Sequence, residues 1–209
     1  MRLRPWTGRS PRASRATGGL DQIYTLGMPI RPILQLGDPR LRVVGSPVTS
    51  FGKPLHALLD EMTEVMRKAP GVGLAAQQIG ESQQVCVIEV DGQLHELVNP
   101  RILRADGDQA DLEGCLSLAG YYAPVTRRNH VVAEAYNRLG RKVRLEGHGL
   151  LARAIQHELD HLNGRLYIDL LPSLDVLIPP GGRPDDEEEP DAEPGDPDAA
   201  LARDRQPSA

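Results

Sequence analysis

The stretch Ile155-Gln156-His157-Glu158-Leu159-Asp160-His161-Leu162-Asn163-Gly164 constrains this chain more than any other. It contains H-E-x-x-H. On a helix, His157 and His161 stand four residues apart and project from one face, one turn from each other. Two imidazoles so placed can hold one metal ion, with Glu158 beside it to handle a proton. Leu150, Leu151, Ala154 and Ile155 recur at helical spacing and Asn163-Gly164 is a stop signal, so a helix is expected from about Gly149 to Leu162. The motif also arises by chance on helices with incidental histidines, so it does not decide the chemistry alone.

The charge is unevenly spread. Residues 1–31 carry six Arg and one Asp, and residues 179–209 carry ten acids and three Arg; with a net charge of −5 overall, residues 32–178 are left at −3. A nearly balanced segment of that length can bury a core without disulfide staples. The two cysteines, Cys86 and Cys115, form no disulfide framework, so a reducing, cytoplasmic setting is the default. No apolar run approaches the ~18 residues that span a bilayer, and no secretory apolar region follows the N-terminal arginines. Nothing in the chain asks for a membrane or DNA as partner.

Residues 1–31 read as a disordered basic extension. They resemble an organellar transit peptide, or a start assigned too early with Met28 as the first native residue. Residues 179–209 are Pro-, Gly- and acid-rich and lack the apolar content to fold. Between them, Ile33–Leu36 is a short apolar run before the turn Gly37-Asp38-Pro39. Leu55, Leu58, Leu59, Met62, Val65 and Met66 form one helical stripe over 53–68, and Pro70-Gly71 opens a glycine-rich loop to Gly80. Val85–Val90 is strand-like, Asp91-Gly92 a hairpin turn into Leu94–Val98, and Asn99-Pro100 a break before a short edge strand at Ile102-Leu103. Val131–Tyr136 and Lys142–Leu145 flank a turn at 137–140, and Leu166–Leu171 is a short strand or extended segment. Strands clustered between two helices and joined by hairpins make an α+β domain over 32–178, with mostly antiparallel sheet around a central metal-binding helix.

A catalytic site needs a third protein ligand. Asp169 and Asp175 lie on no convincing second helix. The metzincin extension places Tyr167 where a ligand would stand, and tyrosine is a rare ligand. Cys115, in Glu113-Gly114-Cys115-Leu116-Ser117, has polar and glycine neighbours, and a thiolate on a divalent cation is chemically reasonable. Cys86, in a Val/Ile-rich strand, reads as a structural hydrophobe.

Three stretches together resemble the peptide deformylase family: Gly71-Val72-Gly73-Leu74-Ala75-Ala76-Gln77-Gln78 (G-x-G-x-A-A-x-Q), Glu113–Ser117 (E-G-C-L-S) and Gln156–His161 (Q-H-E-x-D-H). The resemblance covers roughly residues 33–171. It implies removal of the formyl group from N-terminal formyl-methionine of newly made proteins, releasing formate. It further implies Cys115, His157 and His161 as ligands of Fe(II), with zinc, nickel or cobalt able to substitute. The mechanism it implies is attack of a metal-bound hydroxide on the formyl carbon, with Glu158 as general base and then acid. The Leu116 backbone N–H and the Gln78 amide are implied as stabilisers of the oxyanion. Gly71 and Gly73 are implied to lie along the peptide, and Val72, Leu150 and Ala154 are candidates for the methionine pocket. Asp160 is expected to orient a histidine or a nearby arginine.

The chain departs from the family pattern at Gln77, Ala119, Tyr122 and Arg153, of which Arg153 stands where an apolar pocket residue is expected. His56, His95, His130 and His148 lack partners at ligand spacing and read as surface or ordinary polar residues, with His148 close enough to the metal helix to line the cleft. The partner is a formylated nascent peptide. Because Asp185–Glu189 would be repelled by phosphates, any ribosome association is expected to be weak and transient. Two rival functions remain on the residues alone: an H-E-x-x-H endopeptidase, which would not depend on Cys115, and a structural metal module, which would need a fourth ligand.

Overall fold

The computed structural model describes residues 31–182. Most of the segments 1–31 and 179–209 lies outside the described residues. Arg31 is an exception: its guanidinium pairs with Glu61 at 2.7 Å and with Glu81 at 2.6 Å. Among the described residues no helix is long and apolar enough to cross a membrane.

Two helices, α1 (Lys53–Lys68) and α2 (Gly149–Leu162), accompany one antiparallel sheet in the order β1 (Gly73–Ala75), β2 (Val85–Val90), β3 (Gln93–Cys115), β4 (Leu118–Tyr136) and β5 (Lys142–His148). The architecture is α+β, and both helices keep the limits their periodicity predicts. Gly52 precedes α1, Pro54 occupies its first turn where a missing N–H costs nothing, and the stripe from Leu55 to Met66 is buried.

The strands run further than the sequence implies. Asn99-Pro100 does not end β3; it makes a bulge, with a register shift between Val98 and Arg101. Asn99 takes φ 51°, tolerable for asparagine, and its side chain bonds the Val48 N–H and C=O, both at 2.8 Å. Beyond the bulge the strand continues to Cys115. Its partner β4 begins at Leu118 rather than Val131, because residues whose side chains lack clean alternation still complete each other's backbone ladders. β5 likewise extends to His148. The Asp91-Gly92 turn behaves as expected, with both residues at positive φ (53° and 72°) as a type I′ hairpin demands. Leu166–Leu171 is not a strand: residues 167–170 form a 3₁₀ turn, with Asp169 accepting from the Leu166 N–H at 2.9 Å.

The core lies between α2 and one face of the sheet. Ala152, Ala154, Ile155 and Leu162 pack against Cys86, Ile88, Val131, Ala133 and Ala135. Small alanines on both sides let helix and sheet approach closely. Ile155 is fully buried, worth ~1.5–3 kcal/mol, and it locks the rotation of α2. That rotation turns His157, Glu158 and His161 toward the turn between β3 and β4. A second cluster (Leu118, Ala123, Val125, Leu166 and Tyr167) closes the other side.

Candidate metal centre and its cleft

Cys115 ends β3, and a two-residue turn leads back into β4 at Leu118, its register partner. The turn aims the Ser117 N–H at the Cys115 sulfur, 3.4 Å away. Cys115 Sγ lies 3.2 Å from His161 Nε2, which lies 3.2 Å from His157 Nε2. One thiol from β3 and two imidazoles from α2 thus converge. Asp169 and Tyr167 do not join them. Asp169 pairs with Arg42. Tyr167 is buried, stacks on His157 at 6.3 Å and donates to the Tyr121 carbonyl at 3.1 Å. Cys86 is fully buried, and burial pushes its thiol up.

Glu113 organises the far side of His157. Its carboxylate accepts from His157 Nδ1 at 2.6 Å, from Arg127 at 2.7 and 3.1 Å and from Arg153 at 2.8 Å. Burial alone would raise its pKa; the bonds from His157 and Arg127 more than offset this and hold it well below the usual carboxylate range. With Nδ1 engaged, His157 presents Nε2 to the centre. Asp160 orients an arginine rather than a histidine, accepting from Arg127 at 2.6 Å. Arg153 is explained the same way: it is buried as a counter-ion of Glu113 and bonds the Val125 carbonyl at 3.1 Å while lining the cleft. Sequence reasoning missed Glu113 and Arg127 as working residues. Glu113 sits inside the E-G-C-L-S stretch and was within reach; Arg127 carries no local signal.

Glu158 is only 3% exposed, and its Oε2 has no hydrogen-bond partner among the described residues. Burial raises its pKa from 4.5 to about 7, with the His157 charge opposing and Glu113 adding to the rise. Gly73 makes room for this carboxylate: a Cβ there would lie 2.8 Å from Glu158 Cδ. Gly73→Ala should therefore fold and yet lose ~10²-fold in turnover, since ~1 Å of misplacement at a reacting group costs about that much. Steady-state kcat/KM within threefold of wild type would refute the close fit.

Gln78 accepts from the Ala75 N–H at 2.8 Å, which directs its NH₂ toward Ser117 Oγ (3.2 Å) and Cys115 Sγ (3.7 Å). A cleft of about 680 Å³ opens above this group, lined by Gly71, Val72, Gly73, Gln78, Cys115 and Leu116 on one side and by Leu150, Arg153, Ala154, His157 and Glu158 on the other. Ala119 and Tyr122, also departures from the family pattern, line it too; Gln77 is buried and donates to the Leu162 carbonyl at 3.4 Å. Val72 and Leu150 are exposed at the rim, whereas Ala154 is buried in the wall. Gly71 allows close approach to Leu116: a Cβ would sit 2.6 Å from Leu116 Cδ1.

A comparison with family models matches residues 30–176 to the polypeptide deformylase family. This chain belongs to that family. Peptide deformylase of Acidothermus cellulolyticus is 50% identical over 144 residues, covering 69% of this chain and 80% of that protein. The Heliobacterium modesticaldum peptide deformylase is 49% identical over 142 residues, covering 68% and 94%. Among solved structures, a Legionella pneumophila peptide deformylase superposes with a TM-score of 0.68 at 43% identity, covering 70% of this chain and 89% of that one. A Synechococcus elongatus peptide deformylase in complex with actinonin gives 0.69 at 38% identity, covering 72% and 84%. Deformylases are metal-dependent hydrolases, and the Cys115, His157 and His161 donors fit a metal: they are mutually close, and two imidazoles with one thiol suit iron or zinc.

One expectation needs correction. His130 and His148 do not lack partners: with Glu146 they place ligand-type atoms within 4.8 Å of one another. The β4–β5 register puts His130 directly opposite His148, a closeness that eighteen residues of sequence hide. His148 is exposed and lies outside the cleft lining. His56 bonds the Arg138 carbonyl at 2.8 Å and His95 lies in β3 opposite Ile88, both away from the site.

Proposed function

We propose that this chain removes the formyl group from the N-terminal formyl-methionine of newly made proteins and releases formate. The observation that carries this reading is the convergence of Cys115 Sγ, His157 Nε2 and His161 Nε2 beside the buried Glu158 at the base of an open cleft. Those three residues would hold Fe(II), or zinc, nickel or cobalt in its place. Bound there, the ion supplies Lewis acidity, which makes water a competent nucleophile near neutral pH and polarises the formyl carbonyl. Glu158 takes the proton of the attacking water and delivers it to the departing amine nitrogen, a role suited to a buried carboxyl whose Oε2 has no partner among the described residues.

The Gln78 NH₂ and the Leu116 backbone N–H stabilise the oxyanion. The bond from the Ala75 N–H to Gln78 Oε1 fixes the amide beforehand, so no reorganisation is needed during reaction. The edge of β1 with Gly71 and Gly73 binds the peptide backbone as an added strand, which reads few side chains beyond the first. The methionine side chain enters between Val72, Leu150 and Ala154. The working unit is residues 32–178, the setting is the cytoplasm, and the partners are formylated nascent peptides; contact with the ribosome is transient, because the ten acids of 179–209 disfavour RNA.

The test is formate release from formyl-Met-Ala-Ser by protein loaded anaerobically with Fe(II). Wild type should turn over, Gln78→Ala should fall ~10²–10³-fold, and Cys115→Ser should lose activity. Protein holding one metal ion per chain but releasing no formate would sink the proposal. Internal peptide cleavage that survives Cys115→Ser would favour an H-E-x-x-H endopeptidase instead.

A further inference from the structure

On the face of the sheet where β3, β4 and β5 meet, Asp106, His130 and His148 stand in one cross-strand row, since Asp106 pairs with His130 and His130 with His148. Glu146, two residues before His148, emerges on the same face. The two imidazoles stack with centroids 4.3 Å apart and planes 5° from parallel. His130 Nε2 meets Glu146 Oε1 at 2.8 Å, while its Nδ1 faces the Asp106 carboxylate at 3.2 Å. Asp106 is itself held by Arg104 at 2.7 Å. His130 is only 16% exposed at its side chain, whereas Glu146 is 59% exposed and free to adjust.

We propose that His130, His148 and Glu146 form a second binding site for a divalent transition metal, separate from the catalytic centre. Two imidazole nitrogens and a carboxylate oxygen, all within 4.8 Å, are a donor set that zinc, nickel or copper takes and that magnesium or calcium does not. Asp106 supplies what a ligating histidine needs on its other nitrogen: a carboxylate that fixes the ring and directs Nε2 outward. The metal replaces the proton shared by His130 Nε2 and Glu146; the β4–β5 register brings the donors together, and the exposed His148 ring turns out of its stack on His130 to aim a nitrogen at the ion. His148 immediately precedes α2, so a metal here ties two strands to the start of the helix that carries His157, Glu158 and His161. It should therefore stabilise the fold by mass action without entering the reaction.

The experiment begins with protein whose catalytic centre is already filled, one ion per chain. Zinc is then titrated in competition with a chromogenic chelator, and melting is followed in parallel. Wild type should take up one further equivalent and melt higher with added zinc. His148→Gln and His130→Gln should each abolish that second equivalent and the shift in melting, and Asp106→Asn should weaken it ~10–100-fold. All three should retain formate release, because none of these residues lines the cleft. A wild type that binds no second equivalent, or variants that bind it as wild type does, would overturn the proposal. Stacked imidazoles would then be only a cross-strand pair.

Discussion

Glu158→Gln should bind one metal ion per chain and release formate ~10²–10⁴-fold more slowly, the usual contribution of a positioned proton carrier. The amide fills the same space and cannot accept the water proton. The same variant should make the metal-free protein more stable, but only above a certain pH. In the metal-free fold the Glu158 carboxyl titrates near 7 rather than at 4.5. The folded state therefore holds this proton more tightly than the unfolded chain. Ionisation thus costs nothing below about pH 4.5, costs progressively more up to pH 7 and reaches its full value above it. At ~1.4 kcal/mol per tenfold change in proton affinity, the full penalty is about 3 kcal/mol. Denaturant melts of both metal-free proteins at pH 5 and pH 8 check it. A gap between them that is the same at both pH values would mean that the burial of Glu158 is not under electrostatic strain.

Glu113→Gln should be the most damaging single change outside the metal-binding side chains. The carboxylate is 4% exposed and neutralises Arg127 and Arg153, each 6% exposed at the side chain. Removing its charge leaves two buried guanidinium groups with Asp160 alone as counter-ion, which typically costs ~3–5 kcal/mol. For a domain of this size that corresponds to a fall in Tm of roughly 10 °C or more. Because His157 loses its charged partner at Nδ1, metal affinity should also drop ~10–100-fold. The pH dependence runs opposite to that of Glu158. The Glu113 pKa is depressed by folding, so its contribution is complete above about pH 4.5 and fades as acid protonates it in the folded state. Thermal melts at pH 7 and pH 4 should therefore show a large gap that has only begun to close at pH 4, because the folded pKa lies well below it. Equal stability at pH 7 would show that the arginines find other partners. An Arg153→Met variant separates the effects: it removes one cation with its charge, and it should relieve part of the loss in the Glu113→Gln background.

Much of the site was legible as short contiguous patterns. A heptad-like apolar stripe delimited α1, and i,i+4 histidines with a glutamate between them placed three site residues on α2. The glycines at 71 and 73, expected along the peptide, also leave room for Leu116 and Glu158. The Asp91-Gly92 turn was readable because both residues tolerate positive φ. Each of these rests on neighbours in the chain, where local sterics and periodicity act directly.

What only the tertiary structure decided is which distant residues meet. Asn99-Pro100 looked like a terminus, yet its lost ladder bond is absorbed by a bulge because Asn99 anchors on Val48, 51 residues earlier in the sequence. Arg153 read as a misfit in an apolar pocket until Glu113, forty residues earlier, was found beside it. Arg127, with no pattern of its own, became the link between Glu113 and Asp160. The His130–His148 pair exists because of strand register alone. The sequence by itself determined the two helices, the hairpin turns and the two histidines proposed as metal ligands on α2, since these depend on dihedral preferences and spacing within a few residues. The charge partners that set Glu113, Glu158 and the histidines were decided by folding, because Coulomb and hydrogen-bond energies depend on distance in space and on burial, neither of which exists until the sheet and α2 have packed.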